Sequence, residues 1–150
     1  AGCRVALPPD LRITTKGITT MSGIRNPVYY PFLAGGTINP NTIVKIGAAD
    51  QTVIQATAAA DQPVGVAAIP ANTTAASGER VDVVIGGVME IKVGAAGIAR
   101  GARVASDANG LAVAAAPGAG TNNGIVGVAL ETGASGDLIA VFLSPGVMQG

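Results

Sequence analysis

The sequence predicts an all-β protein: a small β-sandwich or barrel-like domain of short antiparallel strands, internally duplicated and preceded by an extended N-terminal arm. Three observations carry this reading. From Gly35 onward, short Val/Ile/Ala runs are broken every few residues by Gly, Asp, Asn or Pro, the spacing of strands joined by tight turns. No stretch shows a 3.6-residue apolar period with capping residues at its ends. The blocks of the first half of the body also recur, in the same order, in the second half.

At 150 residues and 49% hydrophobic, the chain can build one domain with a real core. Only 12% of its residues are charged, against about 25% in an average soluble protein. Such a bland surface suits a component of an assembly.

Residues 1–34 read as the arm. They contain Pro8, Pro9, Pro27 and Pro31 and no sustained period, which disfavours both a long helix and a central strand. Arg4, Arg12, Lys16 and Arg25 stand there against Asp10 alone, a balance of +3, so the zero net charge leaves residues 35–150 at −3. A basic arm on a mildly acidic body predicts docking to an acidic surface. Four dispersed cations are too few for the dense basic face that nucleic acid requires.

Where arm meets body, NPVYYPFLAGG holds Tyr29, Tyr30 and Phe32, three of the four aromatic residues of the chain. Rings bring large buried area, and Pro27 and Pro31 reduce the entropy lost when they are held. Together with the four arm cations they form the candidate protein interface: Arg4, Arg12, Lys16, Arg25, Tyr29, Tyr30 and Phe32. The alternative is that Tyr30 and Phe32 plug the end of the domain's own core.

The body, residues 35–150, divides into repeats 35–94 and 95–150. Thr42 to Ala56 aligns with Ala102 to Ala116 at an offset of 60, and each segment is expected to be a hairpin. Val64 to Ala67 matches Val126 to Ala129, Ala76 to Glu79 matches Ala134 to Asp137, and Gly87 to Met89 matches Gly146 to Met148. In RVDVVIGGVMEIKV, the apolar sets Val81, Val83, Ile85 and Met89, Ile91, Val93 have the same parity. A hairpin with a three-residue loop at Gly86, Gly87 and Val88 puts both on one face, with Val83 opposite Ile91 and Asp82 opposite Lys92. The last strand, DLIAVFL from Asp137 to Leu143, is apolar on both faces and must be covered on both, as a central strand or in a subunit interface.

Little in the sequence points to catalysis or to a bound cofactor or metal. There is no His, the commonest general base and metal ligand, so Ser77, Ser135 and Cys3 have no imidazole to activate them. No motif ties Lys16, Lys45 or Lys92 to a serine. The glycine-rich run Gly118 to Gly124 is followed by the strand-like IVGVAL, whereas a phosphate cradle needs a helix N-terminus there. Asp107 to Gly110 lacks the further carboxylates of a calcium loop and reads as a turn. The single Cys3 excludes an internal disulfide, and no apolar run approaches the roughly 18 to 20 residues of a membrane-spanning helix.

Gly36-Thr37, Pro63 to Ala67, the run GERVDVVIGGVME from Gly78 to Glu90, Gly101 to Val104, Ser106 to Gly110, Ile125 to Leu130 and Gly136-Asp137 follow one another in an order that resembles the bacteriophage capsid cement, or head decoration, proteins. The resemblance spans roughly residues 35–145 and rests on block order. It implies a non-enzymatic structural virion protein without cofactors, made in the host cytoplasm and placed on the outer surface of the capsid. Its partners would be the major capsid protein and two further copies of itself in a homotrimer, with no direct contact to nucleic acid or membrane. The competing expectation is a carbohydrate-binding or fibre/adhesin β-module, disfavoured by the absence of Trp and the scarcity of other rings.

Overall fold

The structure, a computed structural model, describes residues 25–150. Nine strands run in chain order: β1 (Arg25–Ala34), β2 (Ile43–Ile46), β3 (Thr52–Gln55), β4 (Pro63–Ala67), β5 (Arg80–Lys92), β6 (Arg103–Ser106), β7 (Ala112–Ala114), β8 (Asn122–Ala129) and β9 (Leu138–Gln149). No helix occurs among the described residues, and the all-β expectation holds.

The strands form two small closed barrels that share β5. In the first, β1 pairs with β3, β3 with β2, β2 with β4, β4 with β5, and β5 returns to β1. The β1–β3 ladder is parallel, unlike the all-antiparallel expectation, because β1 and β3 both lead away from the same end of the ring. In the second, β5 pairs with β9, β9 with β8, β8 with β6 and β6 with β7, and the parallel bridge from Val93 to Ala112 closes the ring. Closure leaves each barrel without a free sheet edge along its ring.

The registers of the two barrels correspond. Val44 lies opposite Gly65 and Val104 opposite Gly127; Val66 faces Val84 and Val128 faces Phe142. Both glycines are required by close backbone approach: a Cβ on Gly65 would stand 2.2 Å from the Val84 carbonyl oxygen, and one on Gly127 1.9 Å from that of Phe142. The closing hydrogen bonds also repeat. Gly35 N–H donates to Val53 C=O and Gly94 N–H to Ala112 C=O, while Ile38 exchanges a bond pair with Ala75 as Ile98 does with Gly133. The Ala76-to-Glu79 and Ala134-to-Asp137 turns are each closed by a carboxylate accepting the first N–H, at 2.7 and 2.9 Å. The β2–β3 and β6–β7 segments are the two hairpins read from sequence.

Two further readings differ from the structure. Gly86 to Val88 is not a hairpin loop: β5 runs straight through it for 13 residues. Val83 faces Tyr30 and Ala67, Ile91 faces Ile139, and Asp82 and Lys92 face Pro31 and Leu138. Gly87, at φ +85°, sits where β5 leaves β1 for β9, and the strand passes from the wall of one barrel to that of the other. The two apolar sets therefore serve two cores. Residues 25–34, read as the end of the arm, form β1, because Tyr29 to Leu33 pair continuously with β5. Pro27 is accommodated by register shifts on either side of Val28.

The core of the first barrel is Ala34, Ile38, Val44, Val53, Ala67, Ala75, Val81 and Val83. The second has Val93, Ile98, Val104, Ala112, Ala129, Ile139 and Val141 in the matching places, with Met89, Ile91, Val126 and Leu143 added. Into that second cluster the first barrel also sends Ile43, Ala56, Val66 and Val84 from its outer wall. Burial of these side chains, about 1.5 to 3 kcal/mol for each large one, joins the two barrels.

Candidate docking surface

Of the predicted interface residues, Arg4, Arg12 and Lys16 lie outside the described residues. Arg25 opens β1, with its backbone opposite Val88. Tyr29, Tyr30 and Phe32 follow on the same strand, but alternation separates them. Tyr29 lies opposite Val84 on the outer wall and is 51% exposed. Tyr30 and Phe32 lie opposite Val83 and Val81 on the inner side, with ring centroids 4.8 Å apart. Phe32 packs half-buried against the core of the first barrel, whereas Tyr30 remains 44% exposed at its mouth. The aromatic segment is thus split: Phe32 packs on the domain's own core, Tyr30 stands partly open at the mouth, and Tyr29 is exposed on the outer wall. Val28 and Leu33 extend the exposed apolar surface of β1.

A second apolar surface lies on β9, the strand for which the sequence left open a central position or a subunit interface. Val88, Phe142 and Val128 lie side by side across β5, β9 and β8, with Phe142 49% exposed, and Leu138 and Leu130 are exposed beside them. The signal was present in DLIAVFL. β9 is central, between β5 and β8, and buries Ile139, Val141 and Leu143 on one side while Leu138 and Phe142 face out on the other.

The polar groups are spent on structure. Gln55 Oε1 accepts from Asn39 N–H (3.1 Å) and Nδ2 (3.2 Å), and its Nε2 donates to Asn109 C=O (2.7 Å). Asn41 Nδ2 donates to Glu90 C=O (3.0 Å) and Lys92 N–H to Asn41 C=O (3.1 Å), so this amide seam ties the loops of one barrel to the other. It lines a groove of about 530 Å³ whose wall carries no aromatic ring on which a sugar could stack. Asp107 Oδ1 accepts from Asn109 and Leu111 N–H (2.7 and 2.9 Å), making Asp107 to Gly110 the turn expected of it.

Among the described residues Asp61 is the one titratable group clearly displaced. Burial alone would raise its carboxyl, but the Lys45 Nζ at 2.8 Å and the N–H groups of Thr57 (2.8 Å) and Ala58 (3.0 Å) outweigh that and hold it below its ordinary value. This is a loop clamp: Gly124 N–H on β8 donates to Ala59 C=O within the same loop. Among the described residues no cluster of His, Cys, Asp and Glu is placed to hold a metal ion.

The described surface is therefore one of exposed apolar sheet faces and sparse charge, suited to protein contact. The N base of head fiber gp8.5 of bacteriophage phi29 has a similar fold, with a TM-score of 0.58 at 18% identity over 78% of this chain and 93% of that one. No curated protein matches the sequence. Residues 25–143, from the first strand of the first barrel to the last buried residue of β9, match the phage cement proteins, and the chain belongs to that family of structural phage head proteins.

Proposed function

We propose that the chain is a capsid decoration protein that binds the outer surface of a phage head and stabilises contacts between neighbouring major capsid subunits. The family match over residues 25–143 carries this reading. The exposed apolar side chains of β1 would supply the anchor: Tyr29 and Leu33 extend the outer wall of the first barrel beyond the part covered by the second. The basic residues Arg4, Arg12 and Lys16 would add attraction to an acidic shell.

In this reading the protein does no chemistry and needs no cofactor. It acts as a homo-oligomer, a trimer by its family resemblance, made in the host cytoplasm and added to the assembled head without touching DNA or membrane. Three linked copies gain through effective concentration, so each contact can be weak while the assembly stays bound. Two closed barrels suit a mechanical role, since a sheet without free edges has nowhere to start peeling.

The test is reconstitution. Heads stripped of the protein should take it back to a fixed stoichiometry and then withstand higher temperature before releasing DNA. Heads that neither bind it nor gain heat resistance would remove this reading.

A further inference from the structure

The two barrels are equivalent in register but not in what covers them. On the outer wall of the first, the cross-strand row Val84, Val66, Ile43 is fully buried, at 0% exposure for each. It is covered because it joins the cluster that fills the second barrel, with Met89, Ile91, Val126 and Leu143 at that barrel's mouth. The corresponding row of the second barrel is Phe142, Val128, Arg103. There Phe142 is 49% exposed, Val128 half-buried and Arg103 exposed. The mouth shows the opposite imbalance. Met89, Ile91, Val126 and Leu143 are buried, but their counterparts in the first barrel, Tyr30, Phe32, Val64 and Ile85, are all partly open.

Among the described residues each barrel thus lacks what the other has: the first has a mouth with no wall upon it, and the second has a wall with no mouth beneath. We infer that a second copy of this chain fills both places, the Phe142–Val128 wall of one copy seating on the Tyr30–Phe32–Ile85 mouth of the next, as the Val84–Val66–Ile43 wall seats on the second barrel within the chain. The contact is head-to-tail, so each copy uses two different surfaces, and repetition either closes a ring or continues as a filament. The inference rests on the homo-oligomeric part of the proposed function and names the surfaces that make it.

The test uses the full chain with Phe142→Asp or Tyr30→Asp, both at partly exposed positions, examined by sedimentation velocity across a concentration series. Each variant alone should weaken self-association at least about tenfold, because a charge is placed in the centre of an apolar contact. An equimolar mixture should form a heterodimer and nothing larger, since the Phe142→Asp copy keeps an intact mouth and the Tyr30→Asp copy an intact wall. Phe142→Ser and Tyr30→Ser, with circular dichroism spectra recorded for all four variants, separate loss of contact from loss of fold. A wild-type chain that stays monomeric, a folded single variant that assembles like wild type, or folded variants whose mixture shows no heterodimer would each overturn the inference. Head binding is measured separately: a monomeric chain that still decorates heads contradicts only the self-contact, and an assembling chain that ignores heads contradicts only the capsid reading.

Discussion

The first barrel and the second have matching strand order, matching registers and matching close-approach glycines, yet their walls meet different surroundings. Val84 and Phe142 occupy equivalent places, and one is fully buried while the other is half open. The difference teaches that burial in a duplicated protein is set by neighbours as much as by local pattern. A wall that is core in one repeat is open in the other, because the first barrel's wall packs into the cluster of the second, while Phe142 and Val128 meet no such cluster among the described residues.

The largest test of this comparison is to remove a strand. Deleting residues 1–24 should leave the fold intact, since both closed rings lie within residues 25–150. Deleting 1–34 takes away β1, which pairs with both β3 and β5, and should abolish cooperative folding of the first barrel. Urea unfolding and protection of β2–β4 amides from hydrogen exchange distinguish the two outcomes. A truncation at 34 that unfolds like wild type would show that β1 is not part of the ring.

A single pair of substitutions sharpens the same contrast. Val84→Ala should destabilise by about 2 kcal/mol through lost burial and a cavity between the barrels. Phe142→Ala removes a larger side chain but should cost under about 1 kcal/mol in dilute monomer, because half of it already faces solvent. Chemical denaturation at low protein concentration measures both. Equal losses would mean that the two walls are equally covered.

The smallest effect belongs to a feature without a counterpart. Asp61 clamps its loop through Lys45 and two backbone N–H groups, whereas the corresponding place in the second barrel is Asn123. Asp61→Asn should cost about 1 kcal/mol near neutral pH, through the loss of charge-assisted bonds. The folded carboxyl titrates below its ordinary value of 3.8, so this contribution is complete above that pH and disappears as pH falls through the lower folded value. The gap in stability between wild type and variant should therefore close on acidification below about pH 4. A gap that widens in acid would reverse the assigned direction of the shift.

Much of this architecture was legible in the residues. The two hairpins, the Asp107 turn and the order of the repeated blocks follow from alternation and from Gly, Asn and Asp at positions that need a turn. β1 was hidden by Pro27 and Pro31, which normally argue against a paired strand; its register shifts around Val28 show how the ring tolerates one of them. β5 was hidden for a different reason. Gly86-Gly87 reads equally well as a hairpin turn or as an irregularity within one strand, and parity alone cannot separate one shared face from two separate cores. The exposed Phe142 wall was half legible: DLIAVFL shows that both faces are apolar, but which face a neighbour covers depends on the placement of the whole first barrel.

The proposed place on the outer head surface is tested most directly by electron cryomicroscopy of heads incubated with the purified chain. The account predicts density for paired barrels at regular lattice positions on the outside of the shell, contacting more than one major capsid subunit. Density confined to the interior or to the tail vertex, or a bare outer lattice at saturating protein, would contradict it.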